Sequence, residues 1–113
     1  IRDNYARELM DLSALVEVEG SLEFSNNDDL PTLDLPALLE IGSSMNINGN
    51  DGMTLLSAPL LASLGSTLTI RDNSDLTDVD LSSLTCVSDF TIEGNDLTED
   101  AHYDLLVALT SGC

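Results

Sequence analysis

The sequence contains no lysine and no tryptophan, and aromatic residues make up only 4% of its 113 residues. Its three basic residues are all arginines, against 21 acidic residues, so the formal net charge is −18. Proteins that bind nucleic acids or anionic membranes rely on Lys and Arg to contact phosphate groups. The composition therefore argues against both as partners. It favours cationic partners, divalent ions or a high-salt medium.

Long hydrophobic runs are also missing. A membrane span needs about 20 consecutive apolar residues, whereas the longest apolar cluster, residues 58–65 (APLLASLG), is far shorter. Hydrophobic residues still make up 42% of the chain, which is typical of a globular protein rather than a disordered one. The length fits a single domain spanning residues 1–113. Because the sequence starts at Ile1 and shows no signal peptide, we interpret it as a processed or partial chain.

The sequence repeats with a period of 23 residues: the letters IRDN at residues 1–4 recur at 70–73, three periods later. The clearest parts of the repeats are SLEFSNNDDL, SMNINGNDGM, TLTIRDNSDL and DFTIEGNDL, at residues 21–30, 44–53, 67–76 and 89–97. The last copy lacks one residue before its strand and another after its Asn. Periods of this size are typical of solenoids, in which each repeat forms one coil stacked on the next.

Apolar residues recur at about seven positions of each repeat, and two of these columns show the alternation expected of a strand. The columns predicted to face inward are Leu22/Met45/Leu68/Phe90, Phe24/Ile47/Ile70/Ile92, Leu30/Met53/Leu76/Leu97, Leu33/Leu56/Val79, Leu12/Leu35/Ala58/Leu81, Leu15/Leu38/Leu61/Leu84 and Val18/Ile41/Leu64/Val87. The outward strand face is predicted to carry Ser21, Glu23, Ser25, Ser44, Asn46, Asn48, Thr67, Thr69, Arg71, Asp89, Thr91 and Glu93. This face has no aromatic residue, so we expect any partner there to be bound through polar contacts.

One polar column interrupts the apolar pattern where each strand ends. It consists of Asn27, Asn50, Asn73 and Asn95, with Asn4 in register ahead of them. An Asn side chain both donates and accepts hydrogen bonds, so stacked copies can satisfy the turn backbone and each other. Such partners matter because each unpaired buried backbone group costs about 1–3 kcal/mol. We therefore predict a structural Asn ladder rather than a binding site.

The two ends of the chain differ. Residues 1–11 are predicted to be the remnant of an earlier coil, since IRDN is in register with the later strand ends, so the chain starts inside a repeat array. The alternative is that residues 5–12 (YARELMDL) form a short helix-like cover. Residues 12–97 supply about four coils, and residues 98–113 are predicted to form a capping helix and the terminal Cys.

The predicted capping helix has a start signal and an apolar stripe. Thr98 is placed to cap its N-terminus, and the acidic Glu99 and Asp100 occupy its first turn. The apolar residues at helical spacing are Ala101, Leu105, Leu106 and Leu109, and Gly112 is predicted to end the helix. We expect this stripe to cover the last coil.

The two cysteines are Cys86, in the last coil, and Cys113, directly after the predicted helix. An even number of cysteines is compatible with one disulfide in an oxidising compartment. A Cys86–Cys113 bond would hold the helix against the coil. Closing a loop of about 28 residues contributes roughly 3–4 kcal/mol in the chain-entropy model. Free thiols or a bond to a partner protein are the alternatives.

The pattern L-x-x-L-x-x-[VIL] followed by [LMF]-x-[IF]-x-x-N-x-x-[LM]-x-x-[LV] resembles the leucine-rich-repeat superfamily, in particular its receptor L-domain type of repeat. The stretches LDLPALLEIGSSMNINGND and SLGSTLTIRDNSDLTDVDLSSLTCV carry the likeness, which covers nearly the whole chain. The resemblance implies a mainly β chain, a right-handed parallel β-solenoid with a C-terminal capping helix. It also implies an extracellular or cell-surface location, but no particular ligand. Receptor activity is not implied, because the chain is short and very acidic and lacks a cysteine-rich module.

Candidate catalytic chemistry is confined to His102, the only histidine, on the predicted helix beside Asp100 and Asp104. A nucleophile motif such as G-x-S-x-G is missing, so a Ser-His-Asp arrangement has no candidate serine. We expect a surface histidine, no enzymatic activity and no organic cofactor.

Calcium is the one metal that the sequence suggests. Acidic turns at residues 26–29, 48–52, 71–75 and 93–96 stack once the coils are wound, and Ca²⁺ takes six to eight oxygen ligands. The weak candidate ligands are Asp28, Asp51, Asp72, Asp75 and Asp96. The turns do not match the EF-hand loop, and ordinary turn chemistry with Asn, Asp and Gly explains them as well.

Taken together, the sequence predicts a non-enzymatic extracellular interaction or scaffold module, the C-terminal part of a longer solenoid. Its partner would be a protein or a glycan. Two alternatives stay open: a structural subunit that stacks on neighbouring subunits of a filament, sheath or larger assembly, and an acidic Ca²⁺-binding surface protein.

Overall fold

The computed structural model of the chain describes residues 12–28, 30–84, 87 and 89–110. In these residues ten short strands precede one helix, α1 (Glu99–Thr110). The strands are β1 (Glu17–Val18), β2 (Leu22–Ser25), β3 (Thr32–Asp34), β4 (Glu40–Ile41), β5 (Met45–Asn48), β6 (Leu55–Ser57), β7 (Ser63–Leu64), β8 (Thr67–Arg71), β9 (Asp78–Asp80) and β10 (Asp89–Glu93).

The strands form three parallel sheets, one on each side of the coil. Sheet A has the order β10-β8-β5-β2, sheet B the order β1-β4-β7 and sheet C the order β3-β6-β9. Every described pairing is parallel. The chain therefore visits sheets B, A and C in turn, for three complete coils, before β10 begins a fourth visit to sheet A. The predicted mainly β, parallel β-solenoid with a C-terminal helix is confirmed.

The register of the strands follows the 23-residue repeat. Leu22 lies opposite Met45, and Met45 lies opposite Leu68. The last pair differs, because Asp89 lies opposite Thr67, 22 residues earlier. The last repeat is one residue shorter before β10, but β10 still pairs with β8 along its whole length. The apolar positions of β10 therefore stay in line with those of the earlier coils.

The predicted columns fill the interior, most completely in the middle coils. The side chains with no exposed surface include Phe24, Ile41, Met45, Ile47, Leu56, Leu61, Leu68 and Ile70. Burying one such hydrophobic side chain contributes about 1.5–3 kcal/mol. At the ends and edges the same columns are only partly buried: Leu12, Leu15, Val18, Leu64, Val79, Phe90, Ile92 and Leu97. A residue in an end coil has a neighbouring coil on one side only, which explains its residual exposure.

Three kinds of corner join the sheets. At the Asn corner, between sheets A and C, the backbone N–H of Met53 donates to the Asn50 carbonyl (3.2 Å), and Leu76 donates to Asn73 in the same way (3.0 Å). Asn is favoured at the first position of such β-turns. At the Pro corner, between sheets C and B, Leu61 N–H donates to the Ala58 carbonyl (3.2 Å) and closes a β-turn. Pro59 occupies the second position of this turn. Proline is favoured there because its φ is already fixed.

The Gly corner, between sheets B and A, brings the backbones of successive coils closest together. Gly42 N–H donates to the Val18 carbonyl (2.7 Å), and Gly65 N–H donates to the Ile41 carbonyl (3.0 Å). A Cβ added at Gly42 would lie 2.1 Å from the Glu19 carbonyl oxygen, and one added at Gly65 would lie 2.0 Å from that of Gly42. Only a residue without a side chain fits at these two positions.

Helix α1 covers the C-terminal end of the core, as predicted. Leu105 and Leu109 are buried in the core, and Val87 N–H donates to the Leu109 carbonyl (2.9 Å). Ala101 and Leu106, expected on the same stripe, are half-buried. Thr98 caps the helix, because its hydroxyl accepts a hydrogen bond from Ala101 N–H (3.1 Å). The predicted end at Gly112 lies outside the described residues.

Replacement of the Thr98 cap is expected to loosen the helix measurably. Thr98→Ala should lower the free energy of unfolding by about 1 kcal/mol, since an N-terminal N–H of the helix loses its acceptor. Thr98→Ser retains the hydroxyl and should stay close to the wild type. Urea unfolding of the three proteins checks this prediction. If both variants unfold like the wild type, the cap contributes nothing.

No helix within the described ranges is long and apolar enough to cross a membrane.

Candidate functional site

Asn27, Asn50, Asn73 and Asn95 form a continuous ladder across the four coil ends. The Asn50 Oδ1 accepts hydrogen bonds from the backbone N–H (3.0 Å) and the side-chain Nδ2 (3.2 Å) of Asn27. The Asn73 Oδ1 accepts hydrogen bonds from the backbone N–H and the side-chain Nδ2 of Asn50, both at 3.0 Å. The Asn95 Oδ1 accepts hydrogen bonds from the backbone N–H (3.1 Å) and the side-chain Nδ2 (2.9 Å) of Asn73. The predicted Asn ladder is therefore present along these four rungs.

The side-chain N–H groups of the ladder also donate hydrogen bonds to backbone carbonyl groups of the same or the preceding coil. Asn73 Nδ2 donates to the carbonyls of Ile47 and Arg71, both at 3.1 Å. Asn95 Nδ2 donates to the Ile70 carbonyl at 2.8 Å. The side chains of Asn27, Asn50 and Asn73 have no exposed surface. Among the described residues no buried side-chain nitrogen or oxygen lacks a partner. The ladder is structural, since its polar groups are used within the chain.

The residue before each ladder Asn adopts the left-handed conformation. These residues are Asn26, Gly49, Asp72 and Gly94, with φ between 56° and 70°. Gly, Asn and Asp are the residues that reach this region most readily. The column was not predicted, although the dipeptides NN, GN, DN and GN ahead of each turn are the signal that would have identified it.

The candidate calcium ligands are only partly brought together. Asp28 and Asp51 lie on neighbouring turns, where Asp51 N–H donates to Asp28 Oδ1 (3.4 Å), and the third place in this column is a serine, Ser74. Asp72 instead pairs with Arg71, at 3.4 Å. Asp75 and Asp96 are exposed. Within the described part of the chain, no three acidic, His or Cys side chains are grouped so that they could hold a metal ion. The calcium hypothesis gains no support from this arrangement.

His102 is half-buried and lines a small cavity of about 120 Å³ with Glu93, Gly94, Asn95 and neighbouring apolar residues. It lies at the C-terminal end of the Asn ladder. His102, predicted to be a surface residue of the helix, is therefore only partly exposed. Asp104, which is near His102 in the sequence, lines a different groove.

The residues on the outward face of sheet A are polar and at least partly exposed, as expected, with one buried exception. Ser25 was predicted to face solvent but is buried, with 2% of its surface exposed. The reason is local, since its hydroxyl donates to the Glu23 carboxylate (3.2 Å), which lies over it. On the same face Arg71 pairs with Glu93 at 3.2 Å across the strands. Both side chains are about half exposed, so this pair contributes little to stability.

Exposed apolar side chains are concentrated in two places. At the Pro corner, Val16, Leu39 and Leu60 are 47%, 47% and 49% exposed, and we call them the corner row. Leu39 N–H donates to the Val16 carbonyl (2.8 Å) and Ala62 N–H donates to the Leu39 carbonyl (3.1 Å), so Val16, Leu39 and Ala62 form one column on successive coils. Leu60 lies at the same corner of the third coil, two positions before Ala62. On α1, Tyr103 and Val107 are 68% and 48% exposed.

No protein-family model matches the chain, and neither do curated proteins or solved structures. The structure shows a solenoid without assigning it to the leucine-rich-repeat superfamily or its L-domain type. Asn4, Cys86 and Cys113 lie outside the described residues, so the first rung of the ladder and the Cys86–Cys113 disulfide stay predictions.

The corner row was not predicted. Its signal in the sequence is a second apolar residue directly beside an inward one, as in Leu38-Leu39 and Leu60-Leu61. One of two adjacent leucines faces the core and the other faces solvent. Single exposed leucines are ordinary, whereas several large apolar side chains exposed at one corner of successive coils are typical of an interaction surface.

Proposed function

We propose that the chain is a non-enzymatic interaction or scaffold module of an extracellular or cell-surface protein, related to the L-domain type of leucine-rich repeat. The observation that carries the proposal is the corner row. Val16, Leu39 and Leu60 each expose nearly half of their surface at one corner of a frame whose aliphatic columns point inward. Exposing several apolar side chains at one corner is unfavourable in water unless a partner covers them.

The rigidity of the frame supports this proposal. Each coil is tied to the next by strand pairing on three sides and by a buried amide at the Asn corner. Such a frame holds exposed side chains at fixed positions, which lowers the entropy lost on binding. The role resembles that of other repeat proteins, whose extended surfaces present residues from several coils at once.

A binding screen with matched variants tests the corner row. The protein is immobilised and probed with arrays of extracellular proteins and glycans, alongside Leu39→Ser/Leu60→Ser and Tyr103→Ser. We expect at least one ligand whose binding is lost in the double variant and kept in Tyr103→Ser, because Tyr103 belongs to α1 and not to the corner row. Circular dichroism verifies that both variants are folded. The proposal fails if no ligand binds, or if every ligand binds the double variant as well as the wild type.

A structural subunit of a larger assembly is the second candidate, and one observation favours it. Sheet A ends at β10 in the described part of the chain, and the inward-pointing Phe90 and Ile92 of that strand are only half-buried. An incompletely covered edge strand can pair with another chain.

Salt should promote such an assembly if it exists. Each copy carries a net charge of −18, so copies repel one another at low ionic strength. Raising the salt from about 0.05 M to about 0.5 M shortens the screening length and should increase the mass measured by light scattering. A constant monomer mass over this range, at increasing protein concentration, removes the assembly candidate.

A further inference from the structure

A groove of about 410 Å³ lies at the C-terminal end of the solenoid, between β9 and α1. Its lining combines apolar side chains with carboxylates: Val79, Leu81, Leu105, Asp78, Asp80 and Asp104. Leu81 and Leu105 are buried and form the floor, whereas Asp78 and Asp104 are exposed and form the rim. The volume is within the range of about 300–1,000 Å³ that is typical of ligand pockets.

The exposed face of α1 adjoins this groove. Tyr103 and Val107 are four residues apart and lie on the same side of the helix, with Asp100 and Asp104 beside them. Tyr103 is 68% exposed, the most exposed of the large apolar side chains in the described residues. An aromatic residue of this kind is a common anchor of protein interfaces. Because Asp104 belongs to both the helix face and the groove, we treat them as one cap-end surface.

The charge of the cap-end surface determines what it can bind. Asp78, Asp80 and Asp104 contribute three carboxylates, and none of the described residues that line the groove is basic. The carboxylates are not grouped closely enough for a metal ion in the described residues. Asp80 also uses one oxygen to accept a hydrogen bond from Ser82 N–H (3.2 Å). Carboxylates spread along an apolar floor match a cation on a long apolar stem, such as the side chain of Arg or Lys.

Other occupants fit this surface poorly. A second copy of the chain carries the same charge of −18 and would place carboxylates against carboxylates. Nucleic acids and anionic membranes are repelled for the same reason.

We propose that the cap-end surface binds a basic, amphipathic segment of a partner protein. An Arg or Lys of the segment enters the groove between Asp80 and Asp104, with its stem on Leu105. An adjacent apolar residue packs on Tyr103 and Val107, and a second Arg can stack on the Tyr103 ring. The surface uses none of the corner-row residues. The two proposals therefore stand or fall separately.

A synthetic peptide of alternating Arg and Leu is the probe, with a peptide of alternating Gln and Leu as its neutral analogue. Isothermal titration calorimetry at about 0.15 M salt measures the dissociation constant under conditions that screen long-range attraction. We expect the Arg peptide to bind and the Gln peptide not to bind. Asp80→Asn/Asp104→Asn should raise the dissociation constant of the Arg peptide by about tenfold or more, because charge-assisted hydrogen bonds to the guanidinium are lost. Tyr103→Ser should raise the dissociation constant of the Arg peptide by a smaller factor.

The matched control is Asp34→Asn/Asp75→Asn, which removes the same charge elsewhere. Asp34 and Ser57 pair in register, as do Ser57 and Asp80, so Asp34 has the position of Asp80 two coils away. This control should bind the peptide like the wild type. The proposal is overturned if the control loses as much affinity as Asp80→Asn/Asp104→Asn, since binding would then be diffuse attraction. It is also overturned if the Arg peptide does not bind the wild type. All the substituted side chains are at least partly exposed, and Tyr103→Ser provides a separate test should the double variant misfold.

Discussion

Asn73→Ala is expected to lower the free energy of unfolding by roughly 2–4 kcal/mol, since each buried polar group left unsatisfied costs about 1–3 kcal/mol. The Asn73 Oδ1 is the acceptor for Asn50 N–H, and its Nδ2 is a donor to the Ile47 carbonyl. Alanine offers neither group. With no exposed surface at residue 73, water cannot easily replace the lost partners. The effect should be visible in urea unfolding, as a lower midpoint with an unchanged slope.

Asn46→Ala is the matched control, because it is the same substitution on the outward face of β5, where the side chain is half-exposed. We expect a change within about 0.5 kcal/mol. If Asn73→Ala and Asn46→Ala destabilise the protein equally, the ladder is not what holds the Asn corner together.

Gly65→Ala is the second substitution with a large expected effect. The added methyl group would lie 2.0 Å from the Gly42 carbonyl oxygen and 2.7 Å from its carbon. Since both contacts are with backbone, no side chain can rotate away, and neighbouring coils must separate at the Gly corner. We expect a loss of at least about 2 kcal/mol, at the upper end of overpacking effects. Thermal unfolding followed by circular dichroism measures it.

Gly20→Ala should act in the opposite direction. A Cβ at Gly20 meets no atom of the described residues within 4 Å, and neither Gly20 nor Gly65 has a positive φ. Replacing Gly by Ala at such a site reduces the entropy of the unfolded chain and stabilises by about 0.4–1 kcal/mol. Similar effects at both glycines would contradict the close approach of the coils at Gly65.

The repeat predicted the fold because each column of the sequence samples one environment several times. A single apolar residue is ambiguous, but Phe24, Ile47 and Ile70 at one spacing identify a shared interior. The same logic predicted the Asn ladder, since an Asn that recurs within apolar columns has to be satisfied by its own copies. The N-cap at Thr98 followed from local chemistry alone.

The parts that sequence reasoning missed depend on distances between coils. Nothing near Gly65 in the sequence indicates that its neighbour is the Gly42 carbonyl, because that contact exists only after the coils stack. The groove between β9 and α1 depends in the same way on where the helix lies. The burial of Ser25 was missed because strand alternation predicts which face a residue lies on but not that the neighbouring Glu23 covers it.

The most direct test of the stacked coils is a nuclear Overhauser spectrum of the protein labelled with ¹⁵N. The structure places the Asn27 backbone nitrogen 3.0 Å from the Asn50 Oδ1, and the Asn50 backbone nitrogen 3.0 Å from the Asn73 Oδ1. We predict cross-peaks between the side-chain amide protons of Asn50 and the backbone N–H of Asn27, and between those of Asn73 and the backbone N–H of Asn50. If these amide protons show cross-peaks only to residues close in sequence, the coils do not stack as described and the solenoid is wrong.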